Sequence, residues 1–145
     1  MKIQTAYFDE VEIDQTNILN FHHGLPGFEE ETEFILLPLQ DNSVFQVLQS
    51  VQTVSLAFII TNPYEITAEY SFVLEEATIH ALQIKDENEV AVFAIVSLKE
   101  TIAQSTVNLK APIVLNTTNK KAKQVILNNE DYSIRHLISS ESKEG

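Results

Sequence analysis

Val90-Ala91-Val92-Phe93-Ala94-Ile95-Val96 is the longest uninterrupted apolar run in the chain. Seven residues are far fewer than the roughly 20 that a membrane-spanning helix needs. The run is rich in β-branched side chains and carries a phenylalanine, the composition of a buried strand. Runs of the same character lie on both sides of it. Ile35-Leu36-Leu37, Val44-Phe45-Gln46-Val47-Leu48 and Leu56-Ala57-Phe58-Ile59-Ile60 come before; Ile113-Val114-Leu115 and Val125-Ile126-Leu127 come after. Polar and turn-forming segments separate them: Gln40-Asp41-Asn42-Ser43, Thr61-Asn62-Pro63, Lys85-Asp86-Glu87-Asn88 and the stretch from Asn116 to Lys121. Near the N-terminus, Val11 and Ile13 alternate with Glu10, Glu12 and Asp14, the pattern of a strand with one wet face.

One segment departs from the two-residue period. Leu74, Ala77, Ala81 and Leu82 follow the i, i+3, i+7, i+8 spacing of a helix face. Glu75 and Glu76 stand at its start and Lys85 just past its end, each favourable to the helix dipole. The expected fold is therefore mainly β, a single small barrel or compact sandwich with one short helix. Residues 1–138 are expected to form that domain and 139–145 a flexible C-terminal tail.

Composition limits the function. Hydrophobic residues make up 44% of the 145-residue chain, ordinary for a globular domain. A chain of this length buries roughly 68–70% of its unfolded surface, enough for one core without staples. There is no cysteine, so disulfides, thiolate metal sites and cysteine nucleophiles are excluded. The net charge is -12, and it is unevenly placed. Residues 1–84 hold 13 acids against a single base, Lys2, whereas residues 85–145 hold eight of each. The first part of the chain thus lacks the clustered lysines and arginines that neutralise phosphates, which argues against direct nucleic-acid binding and against docking on an anionic membrane. Met1-Lys2-Ile3-Gln4-Thr5 leads into acids rather than into the apolar core of a signal peptide, so a cytoplasmic protein is expected.

Catalytic patterns are sparse. No G-x-S-x-G elbow or P-loop occurs, and none of the four histidines, His22, His23, His80 and His136, has a recognisable catalytic neighbourhood. Adjacent histidines on a strand point to opposite faces, so His22-His23 reads as a solvated pair rather than a metal site. Glu29-Glu30-Glu31-Thr32-Glu33 lacks the spaced pattern of a calcium loop and reads as a charged, exposed turn. A carboxylate pair working as a hydrolase remains one alternative function, and a purely structural, self-associating subunit another. No cofactor or metal is called for.

Two segments stand out. Both internal glycines fall in Gly24-Leu25-Pro26-Gly27, and Leu25-Pro26-Gly27-Phe28 suits a type II turn, with proline at the second position and glycine at the third. Gly24, Pro26, Gly27 and Phe28 are accordingly read as shaping a turn between two strands. In Thr106-Val107-Asn108-Leu109-Lys110-Ala111-Pro112-Ile113, polar and apolar residues alternate into a proline, which favours an edge strand. Asn108, Leu109 and Lys110 on such an edge either accept a partner's strand or protect the edge from aggregation, and composition does not choose between these.

Phe21-His22-His23-Gly24-Leu25-Pro26-Gly27-Phe28-Glu29 resembles the F-x-x-G-L-P-G-F-E signature of the flagellar assembly factor FliW family. The 106–113 segment resembles that family's second signature, Gln124-Val125-Ile126-Leu127 is similar to the strand that follows it, and Leu48-Gln49-Ser50-Val51 with Leu56-Ala57-Phe58 fills the middle. His22-His23 departs from the more usual proline and polar residue there but leaves the turn intact. The resemblance implies a non-enzymatic regulator with a β-barrel-like fold, cytoplasmic and monomeric when free. It also implies two protein partners, flagellin and the RNA-binding translational regulator CsrA, whose repression of flagellin mRNA the family relieves. Contacts are expected at the Asn108-Leu109-Lys110 edge and at acids around the helix, Glu69, Glu75 and Glu76.

Overall fold

The chain runs through β1 (Lys2–Thr5), β2 (Asp9–Glu12), β3 (Leu19–Phe21), β4 (Glu33–Pro38), β5 (Phe45–Ser50), β6 (Ala57–Thr61), α1 (Pro63–Ile66), α2 (Glu76–Ala81), β7 (Val90–Ser97), β8 (Thr106–Val107), β9 (Ile113–Asn116), β10 (Lys121–Gln124) and β11 (His136–Leu137). The structure is a computed structural model that describes residues 1–39, 44–128 and 131–138. The expected tail at 139–145 and the polar spacer at 40–43 lie outside the described residues.

Seven strands close a barrel. β3 pairs antiparallel with β4, then β5, β6, β7, β9 and β10 follow in turn, each antiparallel to the last. β10 returns to β3 in a parallel pairing, Lys121 opposite Asn20 and Ala122 opposite Phe21. Closure leaves these strands no long free edge. Cross-strand partners share a face, and the register carries one face round the whole ring: Leu19 opposite Phe34, Leu36 opposite Leu48, Leu48 opposite Phe58, Ile60 opposite Ile95, Phe93 opposite Ile113, Leu115 opposite Ala122. That face is the barrel interior, where Phe21, Phe34, Leu48, Ile60 and Ile113 are buried. Phe21 and Phe34 meet edge-on at 5.3 Å.

The apolar run at 90–96 is covered on both faces, half-buried toward the barrel interior and buried outward at Ala94 and Val96, for a reason that its length alone does not give. It becomes β7, whose inward residues line the barrel and whose outward Ala94 and Val96 lie under a second layer. That layer consists of Ile66, Tyr70, Leu109 and Leu127, packed over the outer face of β5, β6 and β7. The β1–β2 hairpin closes another side with Ile3 and Ile13 against Ile35. Gln49 is fully buried on the outer face of β5. Its Oε1 accepts from the Ala6 N–H at 2.9 Å, and its Nε2 donates to the carbonyls of Ser50 at 3.0 Å and Val54 at 3.1 Å. One side chain thus ties the hairpin turn to the β5–β6 connection.

The helix expected across 74–82 forms as α2, but its buried side differs. Thr78 and Leu82 are buried while Ala77 and Ala81 are exposed. The short Thr78 side chain fits beneath the helix, and the two alanines offer too little apolar area to fix its rotation. The helix stops without glycine: Gln83 takes φ 55°, the Ile84 N–H donates to the Ile79 carbonyl and the Gln83 N–H to the His80 carbonyl. A second, one-turn helix, α1, starts where the sequence reads as a turn. Asn62 caps it by accepting from the Tyr64 N–H at 2.9 Å, and Pro63 occupies the first helical position.

Candidate partner-binding surface

The 106–113 segment does not form a free edge. Val107 pairs with Val96 and Ile113 with Phe93, so β7 spends only Ala94 and Ile95 where the facing chain spends residues 108–112. The surplus bulges out of the barrel wall, and every inward turn of it is fastened. The Asn108 N–H donates to the Ile95 carbonyl at 2.9 Å and the Leu109 N–H to the Ser133 carbonyl at 3.0 Å. The Asn108 side-chain oxygen accepts from the N–H groups of Lys110 and Ala111 at 3.0 and 3.1 Å. The carbonyls of Lys110 and Pro112 accept from the N–H groups of Leu127 and Val125 at 2.8 and 2.9 Å. The N–H groups of Asn108, Leu109 and Lys110 and the carbonyls of Leu109 and Lys110 are thus already bonded, which leaves no run of free groups for strand addition there. Leu109 is buried as well, whereas Asn108 and Lys110 are half-buried. The alternation in the sequence is real, but it records a bulge held from both sides.

An aromatic cluster fixes this bulge. Tyr70 is buried, and its hydroxyl donates to the Leu109 carbonyl at 2.7 Å. Burial, with the neighbouring Tyr64 and Tyr132 hydroxyls, pushes the Tyr70 hydroxyl well above the ordinary phenolic value, so it stays a donor. Tyr132 packs on Tyr70 at 4.6 Å between ring centroids, and Tyr64 and Phe72 each lie at 5.6 Å. The Tyr132 hydroxyl donates to the Ser71 carbonyl at 2.8 Å and accepts the Ser71 N–H at 2.9 Å. Through these bonds the acid-bearing segment before α2 is anchored to the bulge.

That anchoring sets Glu75 across a groove from the chain that is bonded to Lys110. Glu69, Glu75 and Glu76 are all exposed. Glu75 stands on the wall of a groove of about 410 Å³ that runs between residues 71–75 and 125–128, and Leu127 on the other wall is bonded to Lys110. Two residues on these walls escape sequence reading: Val73 is 90% exposed and Ile126 is 64% exposed. Their signal is that Phe72-Val73-Leu74 and Val125-Ile126-Leu127 are three-residue apolar runs. In an extended chain the middle residue of such a run must face away from its neighbours.

The glycine-rich turn lies elsewhere, between β3 and β4. The Phe28 N–H donates to the Leu25 carbonyl at 2.7 Å, and Gly27 takes φ +85° as a type II turn requires. Leu25 is buried, and Phe28 packs edge-on against Phe58 at 5.8 Å. Gly24, at φ +69°, passes so close to the backbone of Phe28 and Glu29 that a Cβ there would lie 2.5 Å from the Phe28 carbonyl oxygen. The acidic run that follows is not uniformly exposed. Glu31 is half-buried, and its carboxylate accepts from the Ser50 and Thr53 hydroxyls at 2.6 Å each, which lowers its pKa below the ordinary carboxylate value. His22 and His23 leave the end of β3 in a turn, so their rings meet at 4.6 Å instead of pointing apart. Among the described residues, no group of three or more His, Asp or Glu side chains is placed to hold a metal ion. No described helix is long and apolar enough to cross a membrane.

The described acids of the first part of the chain fall into three stretches: β2 and the residues just after it, the turn after Phe28 up to Glu33 at the start of β4, and the α1–α2 region. Only the last borders the groove. Lysines 121 and 123 lie on β10, beside His22 and His23.

Comparison with known proteins agrees with this geometry. Residues 2–138 match the family model described as FliW protein. A flagellar assembly factor FliW from Oceanobacillus iheyensis is 49% identical over 140 residues, covering 97% of this chain and 95% of that protein. One from Bacillus velezensis is 44% identical over 142 residues, covering 98% of this chain and 99% of that protein. A crystal structure of the flagellar assembly factor FliW superposes with a TM-score of 0.89 at 38% identity, covering 95% of this chain and 96% of that one. With a closed seven-stranded barrel, both sequence signatures in place and a match along nearly its whole length, this chain belongs to the FliW family.

Proposed function

We propose that this chain is a non-enzymatic flagellar assembly factor of the cytoplasm. In this reading it binds flagellin and, in alternation, the RNA-binding regulator CsrA, relieving the repression of flagellin mRNA. When flagellin accumulates it occupies the chain and leaves CsrA free to repress; export of flagellin releases the chain to capture CsrA. The observation that carries this reading is the family match across residues 2–138, made with relatives that are themselves named flagellar assembly factors. The surface supports it: Glu69, Glu75 and Glu76 are exposed, and Glu75 lines a groove whose other wall, at Leu127, is bonded to Lys110. An acidic surface repels RNA and attracts a basic RNA-binding partner, but only at short range, since the screening length in cellular salt is about 8 Å.

The test is a mixing experiment by size-exclusion chromatography, with flagellin and CsrA added separately and together. The expected result is a complex with each and displacement of one by the other. Absence of both complexes refutes the reading, and a stable ternary complex refutes the alternation. Lys110→Glu is expected to weaken at least one complex while leaving the melting temperature unchanged; unchanged affinity for both removes the bulge from the contact surface.

A further inference from the structure

We propose that the groove between residues 71–75 and 125–128 accepts an extended peptide segment of a protein partner, apolar at alternate positions and basic at its ends, as an added strand along the Ile126 edge.

The backbone makes the case. Beyond β10 the chain continues in extended form, and the N–H groups of Val125 and Leu127 donate inward to the carbonyls of Pro112 and Lys110. Successive residues of an extended chain point their hydrogen-bonding groups to opposite sides. The N–H and C=O of Ile126 and the N–H of Asn128 therefore face away from the barrel, and among the described residues they have no hydrogen-bond partner. The other wall repeats the pattern. The segment from Phe72 to Leu74 belongs to no strand or helix, and its N–H and C=O groups have no partner among the described residues. Two lengths of backbone outside any helix or named strand thus border one cleft with unused donors and acceptors, an arrangement that a peptide satisfies by strand addition along the Ile126 side.

Side chains set the peptide's character. Val73 and Ile126 stand exposed at 90% and 64% on the two walls, so an occupant covers apolar area with alternate residues of its own. Glu75 lines the groove, and Glu69 and Glu76 lie close by in the chain on either side of the 71–75 wall, so its flanking residues are lysine or arginine. The closed barrel offers no comparable edge on β3 to β7, β9 or β10, which pair on both sides. Strand addition, excluded at Asn108, Leu109 and Lys110, is available one strand away.

The test uses synthetic nine-residue peptides, capped at both ends, that alternate valine with lysine or arginine. Two further versions carry N-methyl groups on alternate backbone amides, in one register or the other, which removes donors without changing charge. Hydrogen exchange of the whole chain is followed by NMR. The unmethylated peptide is expected to bind and to slow exchange of the Ile126 and Asn128 amides at least about tenfold. N-methylation in at least one register is expected to weaken binding by about tenfold or more, the consequence of losing a backbone hydrogen bond. A peptide with glutamate in place of every base is expected to bind at least about tenfold more weakly than the parent. The proposal is overturned if the peptide fails to bind at millimolar concentration, if both methylated versions bind like the parent, or if those amides keep their free exchange rate. Equal binding of the acidic peptide overturns the charge assignment. Protection of the same amides that grows with protein concentration alone would make a second copy of the chain the occupant and overturn the peptide. The probes contain neither flagellin nor CsrA, so this outcome and that of the mixing experiment are independent.

Discussion

Gly24 and Gly27 sit three residues apart in one turn, both with positive φ, yet alanine is expected to be tolerated very differently at the two. Left-handed backbone costs a residue bearing a Cβ roughly 1–2 kcal/mol relative to glycine. At Gly27 that is the whole penalty, because a Cβ would meet nothing within 4 Å. At Gly24 the same penalty applies at φ +69°, and the added Cβ would also lie 2.5 Å from the Phe28 carbonyl oxygen and 2.6 Å from the carbonyl carbon and oxygen of Glu29. Those are backbone atoms of the turn itself. They cannot swing aside as a flexible side chain would. Moving them disturbs the buried Leu25 and the Phe28–Phe58 contact, and overpacking of this kind adds roughly 1–3 kcal/mol. Gly27→Ala is therefore expected to cost about 1–2 kcal/mol and Gly24→Ala about 2–5 kcal/mol. Urea unfolding followed by far-ultraviolet circular dichroism measures both, since the chain has no tryptophan to report by fluorescence. Equal losses at the two glycines would refute the steric part of the reasoning and leave only the backbone conformation.

Tyr70→Phe leaves the buried Leu109 carbonyl without its donor and is expected to lower stability by about 1–3 kcal/mol, a fall of roughly 3–10 °C in melting temperature; Tyr132→Phe, whose hydroxyl lies nearer solvent, is expected to cost less. Differential scanning calorimetry of the two variants decides this, and a larger loss for Tyr132→Phe would contradict it. Gln49→Leu strips the Ala6 N–H and the 50–56 connection of their shared partner, so it is expected to destabilise by about 1–3 kcal/mol despite adding apolar surface; a neutral result would mean those groups find other partners. The folded-state pKa of Glu31 is depressed, so its contribution is fully present above the unfolded value near 4.5 and fades as pH falls below it. Glu31→Gln is accordingly expected to flatten the acid side of the melting-temperature profile below about pH 4.5, whereas an unchanged slope would assign acid sensitivity elsewhere. Association with CsrA is expected to slow as salt rises, and stopped-flow rates independent of ionic strength would exclude electrostatic steering by the acidic surface.

Several features follow from short stretches of chain because their causes are local. Alternating apolar residues make strands wherever they occur, and Leu25-Pro26-Gly27-Phe28 needs only proline's fixed φ and glycine's freedom to form its turn. The helix start at Asn62-Pro63 was equally local, a capping side chain followed by proline at the first helical position, although it reads as a simple turn when the cap is overlooked. Sequence also excludes chemistry, since a chain without cysteine cannot build a thiolate site.

Pairing and burial are not local, and tertiary structure decided them. The 106–113 segment carries the composition of an edge, but β7 and the chain at 125–127 fasten it from two sides, so its apparent edge is spent inside the fold. Thr78 is buried and Ala77 exposed because the surface beneath α2, not the helix's own pattern, sets its rotation. Glu31 differs from Glu29 and Glu30 only in lying within reach of Ser50 and Thr53, which are distant in sequence. By itself the sequence determined that this protein is a mainly β domain with an acidic first part and a glycine-hinged turn. Only closure of the barrel, a matter of pairing between strands distant in sequence, decided which backbone hydrogen bonds are consumed inside the fold and which, like those of Ile126, are left unused.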